Sequence, residues 1–209
     1  MTPADQTPRE DPSTITSQPR PATTGTRATS GRRSEAARLA VLNAADDLLV
    51  EHGFEALTIE GIAAAAGVAK QTIYRWWKSK VDILFDNLVL DAETALAWPE
   101  PADLRAYVHR YARFLAEQPA GQVLLALLGH AQLDRRTAEL LHDGFLDGLR
   151  ARDVTQVREL LGLDEEAAAV LLDALLAPLY HRVLVLRRPL DTDFVTAVLD
   201  TTLDQHLPR

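Results

Sequence analysis

The stretch LTIEGIAAAAGVAKQTIYRWW, residues 57–77, contains two short helical patterns on either side of a glycine. Thr58 can cap the first helix. That helix presents an apolar face made by Ile62, Ala63 and Ala66. Gly67 breaks the pattern, and a second helix follows whose Ile73 and Trp77 share the inner face because they are four residues apart. Two short helices around a glycine turn predict a helix-turn-helix.

Positive charge is concentrated in and just after the second of these helices. Residues 67–80 contain Lys70, Arg75, Lys78 and Lys80 and no acid, although the whole chain carries a formal charge of −8. Residues 81–209 hold 12 basic and 21 acidic side chains. An acidic body repels nucleic acid, so a nucleic-acid surface on this chain has to be local. The cluster predicts such a surface, with a solvated charged face as the alternative.

The outward side of the second helix carries side chains that suit DNA. The residues that point away from its inner face are Lys70, Gln71, Thr72, Tyr74 and Lys78. Gln71 can present a donor–acceptor pair to adenine, and the Thr72 methyl group can contact a thymine methyl group. Lysines and the Tyr74 hydroxyl suit phosphate oxygens. Lys80 lies where the next helix begins, so its ammonium and the free amides there can share one phosphate.

Two neighbouring groups can extend this surface. Trp76 either contacts phosphate at the groove edge or covers the helix boundary beside Trp77. Residues 1–31 are rich in proline, threonine and serine and contain few large apolar residues, which predicts a disordered tail. The alternative is a basic arm that enters the minor groove. That arm would use Arg27, Arg32 and Arg33.

The remaining pattern is helical, with no alternating strand pattern. Ser34 can cap a leading helix that Gly53 ends. Residues 120–133 are apolar almost all round and predict a central buried helix, and Gly144 and Gly148 predict a bend within residues 135–162. We therefore predict an all-α chain. It comprises a disordered tail (1–31), a three-helix helix-turn-helix DNA-binding domain (32–79) and a larger helical ligand-binding and dimerisation domain (80–209).

The last two helices carry apolar stripes of their own. The first stripe contains Ala167, Val170, Leu171, Ala174, Leu175, Leu179, Val183 and Leu186, and the second contains Phe194, Val195, Val198, Leu199, Thr202 and Leu203. Such stripes predict a homodimer through a four-helix interface, with packing inside one chain as the alternative. Pro178 lies inside the first stripe and predicts a kink.

Polar side chains on the otherwise apolar helices are the candidates for binding a small molecule. They are Trp98, His109, Tyr111, His130, Gln132, Tyr180, His181 and Arg182. Of these, His130 is the strongest single candidate, because its helix is so apolar that its ring needs a hydrogen-bond partner that a ligand can supply. Each of these side chains can instead be a satisfied core residue or a surface residue.

Several classes of protein are excluded by what the sequence lacks. Without cysteine there is no disulfide, thiolate metal site or cysteine nucleophile. No phosphate-binding loop, dinucleotide fingerprint or serine elbow is present, and no histidines stand at metal-ligand spacing, so we expect no enzyme activity, metal or cofactor. We see no apolar run of transmembrane length and no signal peptide, and therefore expect a cytoplasmic protein without a membrane partner.

The stretch LTIEGIAAAAGVAKQTIYRWWKSKVDIL, residues 57–84, closely resembles the DNA-binding motif of the TetR (tetracycline repressor) family. The likeness extends over about residues 34–90, and residues 175–203 are similar to the last two helices of one TetR C-terminal type. One departure is Ala69, where the family usually has a serine or threonine that caps the recognition helix.

This resemblance implies a homodimeric repressor that reads a palindromic operator and is released by a small molecule. Position by position, Thr58, Tyr74, Trp76 and Lys80 match phosphate-contacting residues of the family. Lys70, Gln71 and Thr72 match residues that face bases. The alternative is a helical dimeric interaction module without specific DNA binding.

Overall fold

The computed structural model describes residues 26–117 and 119–206, and the regular structure of these two ranges is helical throughout. The α-helices are α1 Thr26–Ala56, α2 Ile59–Ala66, α3 Lys70–Trp76, α4 Lys80–Ala95, α5 Leu104–Ala116, α6 Ala120–Ala131, α7 Arg135–Leu141, α8 Asp147–Leu161, α9 Glu165–Tyr180 and α10 Thr192–His206. Two π-helical segments, His142–Leu146 and His181–Val185, follow α7 and α9 directly. The all-α prediction is confirmed.

Helix α1 begins earlier than the sequence predicted. It starts at Thr26, six residues before the expected boundary at 32, so Ser34 lies inside the helix and is not its cap. Residues 26–31 are thus helical rather than part of a tail, and the rest of the predicted tail, residues 1–25, lies outside the described ranges. Gly53 breaks α1 as predicted, with φ 78° and ψ 171°. This backbone conformation is open to glycine and strained for other residues.

Helix α4 ties the helix-turn-helix to the rest of the chain. Trp77 Nε1 and Arg38 Nη2 both donate to Asp86 Oδ2, at 2.8 and 3.0 Å. Asn87 Nδ2 donates to Asp46 Oδ1 of α1 at 2.7 Å. Burial raises the pKa of Asp46 to about 7, so its carboxyl group is only partly ionised near neutral pH. Through these bonds α1 and the end of α3 are fixed to α4.

Helix α6 is the central helix that its apolar composition predicted, because it packs against α1, α4, α5 and α7. Its inward residues are Gly121, Val123, Leu124, Leu127 and Ala131. Gly121 packs tightly against the end of α5, since a Cβ atom on it would stand 2.4 Å from the carbonyl oxygen of Leu115. Only glycine lets the two helices meet so closely.

The predicted bend after α7 takes the form of the π-helical segment His142–Leu146. Gly144 in this segment faces α4, where an added Cβ atom would stand 2.9 Å from Phe85 Cζ. Arg136 of α7 also reaches α4 and donates to Asp82 Oδ1 at 2.6 Å. The segment therefore packs closely on the helix that leads to the helix-turn-helix.

Helix α9 divides its apolar residues between the core and the surface. Asp164 caps its start, and Pro178 precedes the π-helical segment His181–Val185, where the predicted irregularity occurs. Its core residues are Ala168, Leu171, Leu172, Leu175 and Leu179. Other large apolar residues of α9 and the segment after it are exposed, namely Val170, Leu184, Val185 and Leu186. Only part of the first predicted stripe is therefore buried within one chain.

The prediction that no apolar run reaches transmembrane length does not hold for one helical run. Residues Glu165–Val185 are long and apolar enough to cross a bilayer, with a mean hydropathy of 1.6 and 28% of the apolar window buried. Length and composition alone are weak evidence, because a core helix of a globular protein passes the same test. Here the inner face packs against the core, and the outer face is apolar but unpartnered in the single chain.

Candidate nucleic-acid interface and effector cavity

Helix α2 begins and ends as its sequence predicted. The exposed Thr58 is the N-cap, and its Oγ1 accepts a hydrogen bond from the Gly61 amide at 3.0 Å. Gly67 ends the helix in the left-handed conformation, with φ 65° and ψ 30°. This conformation turns the chain toward α3 and suits glycine, which has no Cβ atom to clash.

Two buried residues anchor helix α3 to the core. Ile73 is fully buried, and Trp77 is nearly so, with its indole nitrogen bonded to Asp86. No side chain caps the start of the helix, because Ala69 occupies that position, as the sequence predicted. The Thr72 amide instead bonds to the Ala69 carbonyl at 2.8 Å. Packing rather than capping therefore fixes this short helix.

The outer face of α3 brings most of the predicted DNA contacts together. Gln71 and Tyr74 are exposed, and Thr72 is half-buried. Trp76 is also half-buried, with its ring edge-on to Trp77 at 5.4 Å. Trp76 thus covers the helix boundary while part of its surface remains accessible, so both roles considered for it are compatible with its position.

Two lysines of the predicted surface already have partners within the chain. Lys70 Nζ forms an ion pair with Glu60 of α2, and this hydrogen bond lowers the pKa of the Glu60 carboxyl group. Lys80 Nζ donates to the Phe54 carbonyl and stands 4.2 Å from the centre of the Phe54 ring. Lys80 therefore has a structural role beside the one predicted for it, and Lys70 is less free than the acid-free sequence suggested.

The predicted basic arm is not an arm where the structure describes it. Arg32 and Arg33 lie on α1 and are exposed, and Arg27 lies in the same helix. The helical backbone at these residues differs from the flexible segment that enters a minor groove. The flexible-arm alternative does not fit the helical residues 26–33, and contact of Arg32 and Arg33 with DNA stays a prediction.

A cavity of about 520 Å³ lies in the larger domain, with walls from α5, α6, α8, α9 and both π-helical segments. Of the eight predicted ligand residues, Tyr111 and Tyr180 line it, and their hydroxyl oxygens are 2.6 Å apart. Burial raises the pKa of both tyrosines, so both hydroxyls keep their protons. Trp98 stands behind the wall and donates from Nε1 to Asp153, a lining residue, at 3.0 Å.

Asp153 is the functional candidate that the sequence did not reveal. It is buried, and its Oδ2 accepts from the Tyr107 hydroxyl at 2.5 Å while its Oδ1 accepts from Arg152 and Trp98. Trp98 stacks on Tyr107 at 4.1 Å. Arg152 also donates to the Leu96 carbonyl at 2.8 Å, so the network joins the cavity wall to the end of α4. An aspartate in a polar helix gives no sequence signal of burial.

The three histidines proposed for the ligand lie elsewhere. The His130 ring stands 4.7 Å from the Phe54 ring, at the junction with the helix-turn-helix, so its contact here is with an aromatic ring and not with the hydrogen-bond partner that the sequence predicted. His109 Nε2 is 3.5 Å from Thr196 Oγ1, between α5 and α10. His181 is exposed. None of the three lines the 520 Å³ cavity. In the ranges the structure describes, no cluster of three histidine or acidic side chains could hold a metal ion.

Comparison with known proteins identifies the family of this chain. The model for bacterial regulatory proteins of the tetR family matches residues 41–86, and a tetracyclin repressor-like C-terminal domain matches residues 101–202. The uncharacterized HTH-type transcriptional regulator YdeS of Bacillus subtilis (strain 168) is 32% identical over 164 residues, which are 73% of this chain and 81% of the relative. The chain belongs to the TetR family.

Two further relatives agree with this assignment, one in sequence and one in sequence and fold. The HTH-type transcriptional repressor SCO4008 of Streptomyces coelicolor is 30% identical over 151 residues, 70% of this chain and 73% of the relative. The crystal structure of the TetR family transcription regulator SCO0332 is 32% identical, covers 82% of this chain and 99% of its own, and superimposes with a TM-score of 0.63. The protein is therefore a helix-turn-helix transcriptional regulator and not an enzyme, as predicted.

Proposed function

We propose that this TetR-family protein is a homodimeric repressor, that the dimer binds a palindromic operator through α3, and that a small molecule in the 520 Å³ cavity releases it. The observation that carries the proposal is the outer face of α3, where exposed polar side chains stand on the buried anchors Ile73 and Trp77. The cytoplasm contains the chromosome, so this face can bind its operator there directly.

The proposed roles follow the chemistry of each side chain. Lys70, Gln71 and Thr72 read bases, since their amine, amide and methyl groups match groups on base edges in the major groove. Thr58, Tyr74, Trp76 and Lys80 hold the phosphate backbone on either side. The repressor role is supported by the relative SCO4008, whose name describes it as a transcriptional repressor.

Selection of genomic DNA fragments by the purified full chain tests the proposal. Sequencing of the retained fragments should reveal an enriched inverted repeat near promoters, and binding should weaken steeply as salt rises. If a folded dimer retained no particular sequence even at low salt, the operator proposal would fail and the interaction module would be the better description.

Replacing Gln71 with Ala should weaken binding to the selected operator by about 1–3 kcal/mol and leave binding to random DNA almost unchanged, because a bidentate base contact is lost. Lys78→Ala is the matched control, since this exposed lysine should contribute to phosphate attraction only. It should weaken binding to both DNAs and flatten the salt dependence. Fluorescence anisotropy at several salt concentrations measures both. Equal losses on both DNAs for Gln71→Ala would refute its base-reading role.

Lys80→Ala is a less direct probe of phosphate binding than the sequence suggested. It should weaken binding to all DNA sequences, but the Lys80 ammonium also bonds the Phe54 carbonyl. A fall in affinity therefore has to be compared with the thermal stability of the same variant.

The dimer proposal rests on the exposed apolar face of α9 and the segment after it. The double variant Val170→Glu and Val185→Glu should raise the dimer dissociation constant by at least about 100-fold, because two charges per subunit would be buried without partners. Leu133→Glu is the control, since Leu133 is 90% exposed and lies in the turn before α7. Analytical ultracentrifugation measures both, and a dimer that survives the double variant would place the interface elsewhere.

A further inference from the structure

The walls of the 520 Å³ cavity favour a mainly apolar ligand. Six leucines line it, Leu128, Leu146, Leu149, Leu172, Leu176 and Leu184. Transfer of apolar surface from water to such a lining contributes about 25 cal/mol per Å², so the body of the ligand should be hydrocarbon. The polar groups of the lining then decide which apolar molecules the cavity accepts.

The tyrosine pair provides one hydrogen-bond donor to the cavity. In the contact between Tyr111 and Tyr180 one hydroxyl donates and the other accepts. The accepting hydroxyl keeps its own proton, and in the described part of the chain no other acceptor is bonded to either oxygen. A ligand oxygen or π-system can accept that proton, whereas a charged ammonium group placed there could not.

The charges of the lining are unbalanced toward the negative. Its carboxylates are Asp147, Asp153 and Asp173. Asp153 is paired with Arg152, and Asp173 with Arg150. Asp147 has no ion-pair partner in the described ranges, and it is exposed at the rim of the cavity. Of the three lining carboxylates, Asp147 alone thus lacks an arginine partner in the described ranges, and His142, which also lines the cavity, forms no ion pair there.

An anionic ligand would find no arginine in this lining that is free of a carboxylate partner. Arg150 is the one arginine in the lining, and both its terminal nitrogens donate to Asp173. A carboxylate would have to displace Asp173 while lying near the unpaired Asp147, and like charges at short range repel. An ammonium group at the rim would instead gain an opposite charge.

We propose that the effector is an apolar amine, whose hydrocarbon body fills the leucine-lined cavity and whose protonated nitrogen lies at the rim beside Asp147. This inference rests on the proposed effector cavity and specifies its ligand class. The tyrosine pair at the inner end accommodates an aromatic ring or an oxygen acceptor of the same molecule.

A matched set of three probes tests the ligand class: 4-phenylbutylamine, 4-phenylbutan-1-ol and 5-phenylpentanoate. They share one apolar body and differ at pH 7 only in a positive, neutral or negative end group. Isothermal titration calorimetry on the full chain at 0.15 M salt should give a dissociation constant for the amine at least about tenfold lower than for the carboxylate, with the alcohol between them. Equal affinities, preference for the carboxylate, or no binding of the amine would overturn the proposal.

Asp147→Asn removes the unpaired charge and should bring the affinity for the amine down to that for the alcohol. Asp143→Asn is the control, because Asp143 is exposed in the neighbouring π-helical segment but does not line the cavity. Undiminished amine preference in Asp147→Asn would also overturn the assignment. These measurements contain no DNA, so they can fail while operator binding stands, and loss of operator binding would leave them unaffected.

Discussion

A Gly121→Ala variant should be less stable than the natural protein by about 3 kcal/mol or more in free energy of unfolding. The added methyl carbon would lie 2.4 Å from the Leu115 carbonyl oxygen and 2.6 Å from that of Phe114. Both are backbone atoms in the last turn of α5, so no side-chain rotation can relieve the clash. Overpacking typically costs about 1–3 kcal/mol, and separation of two helices lies at the upper end or beyond.

Gly129→Ala in the same helix gives the control. No atom lies within 4 Å of the position where its Cβ atom would stand. Alanine is the better helix former, so this variant should gain about 0.5–1 kcal/mol. Urea unfolding at one fixed protein concentration measures both, because the stability of the proposed dimer would depend on concentration. Two changes of the same sign would contradict the close approach of α5 and α6.

Asp153→Ala should lower the free energy of unfolding by about 3–5 kcal/mol. The substitution leaves the buried Tyr107 hydroxyl and the Trp98 nitrogen without their acceptor, and Arg152 without its ion-pair partner. Unpaired polar groups in an apolar interior carry the full penalty of lost hydration. Thermal and urea unfolding measure the effect.

Two other variants separate this network from a general effect of charge. Asp153→Asn retains one acceptor oxygen and should lose less than Asp153→Ala. Asp173→Ala, at the exposed rim of the same cavity, removes a surface ion pair and should change stability by no more than about 1 kcal/mol. A loss of similar size for Asp153→Ala and Asp173→Ala would show that the buried network contributes little.

Local signals made the helix-turn-helix predictable from sequence. The cap at Thr58, the left-handed Gly67 and the inward pair Ile73 and Trp77 each depend on residues within a few positions of one another. Such short-range preferences act whatever the rest of the chain does. Resemblance to a family then added the larger domain, which periodicity alone described only as helices.

Pairings between distant residues could not be predicted in the same way. The ring that packs on His130 comes from residue 54, and two of the groups that bond Asp153 come from residues 98 and 107. Which polar groups meet depends on how the helices pack, and the sequence pattern of one helix carries no record of its neighbours. The start of α1 was missed for a related reason, because a helix can continue beyond the core without an apolar face to mark it.

The ion pair between Lys70 and Glu60 changes what a lysine on α3 contributes to the proposed operator complex. Lys70 is already paired with Glu60 before it contacts DNA, so each contact between Lys70 and a base replaces this ion pair. Lys70 binds a DNA base that offers a good acceptor, whereas it remains bonded to Glu60 when the base offers a poor one. Glu60 is then an internal competitor that sharpens the choice between sequences while adding nothing to overall attraction.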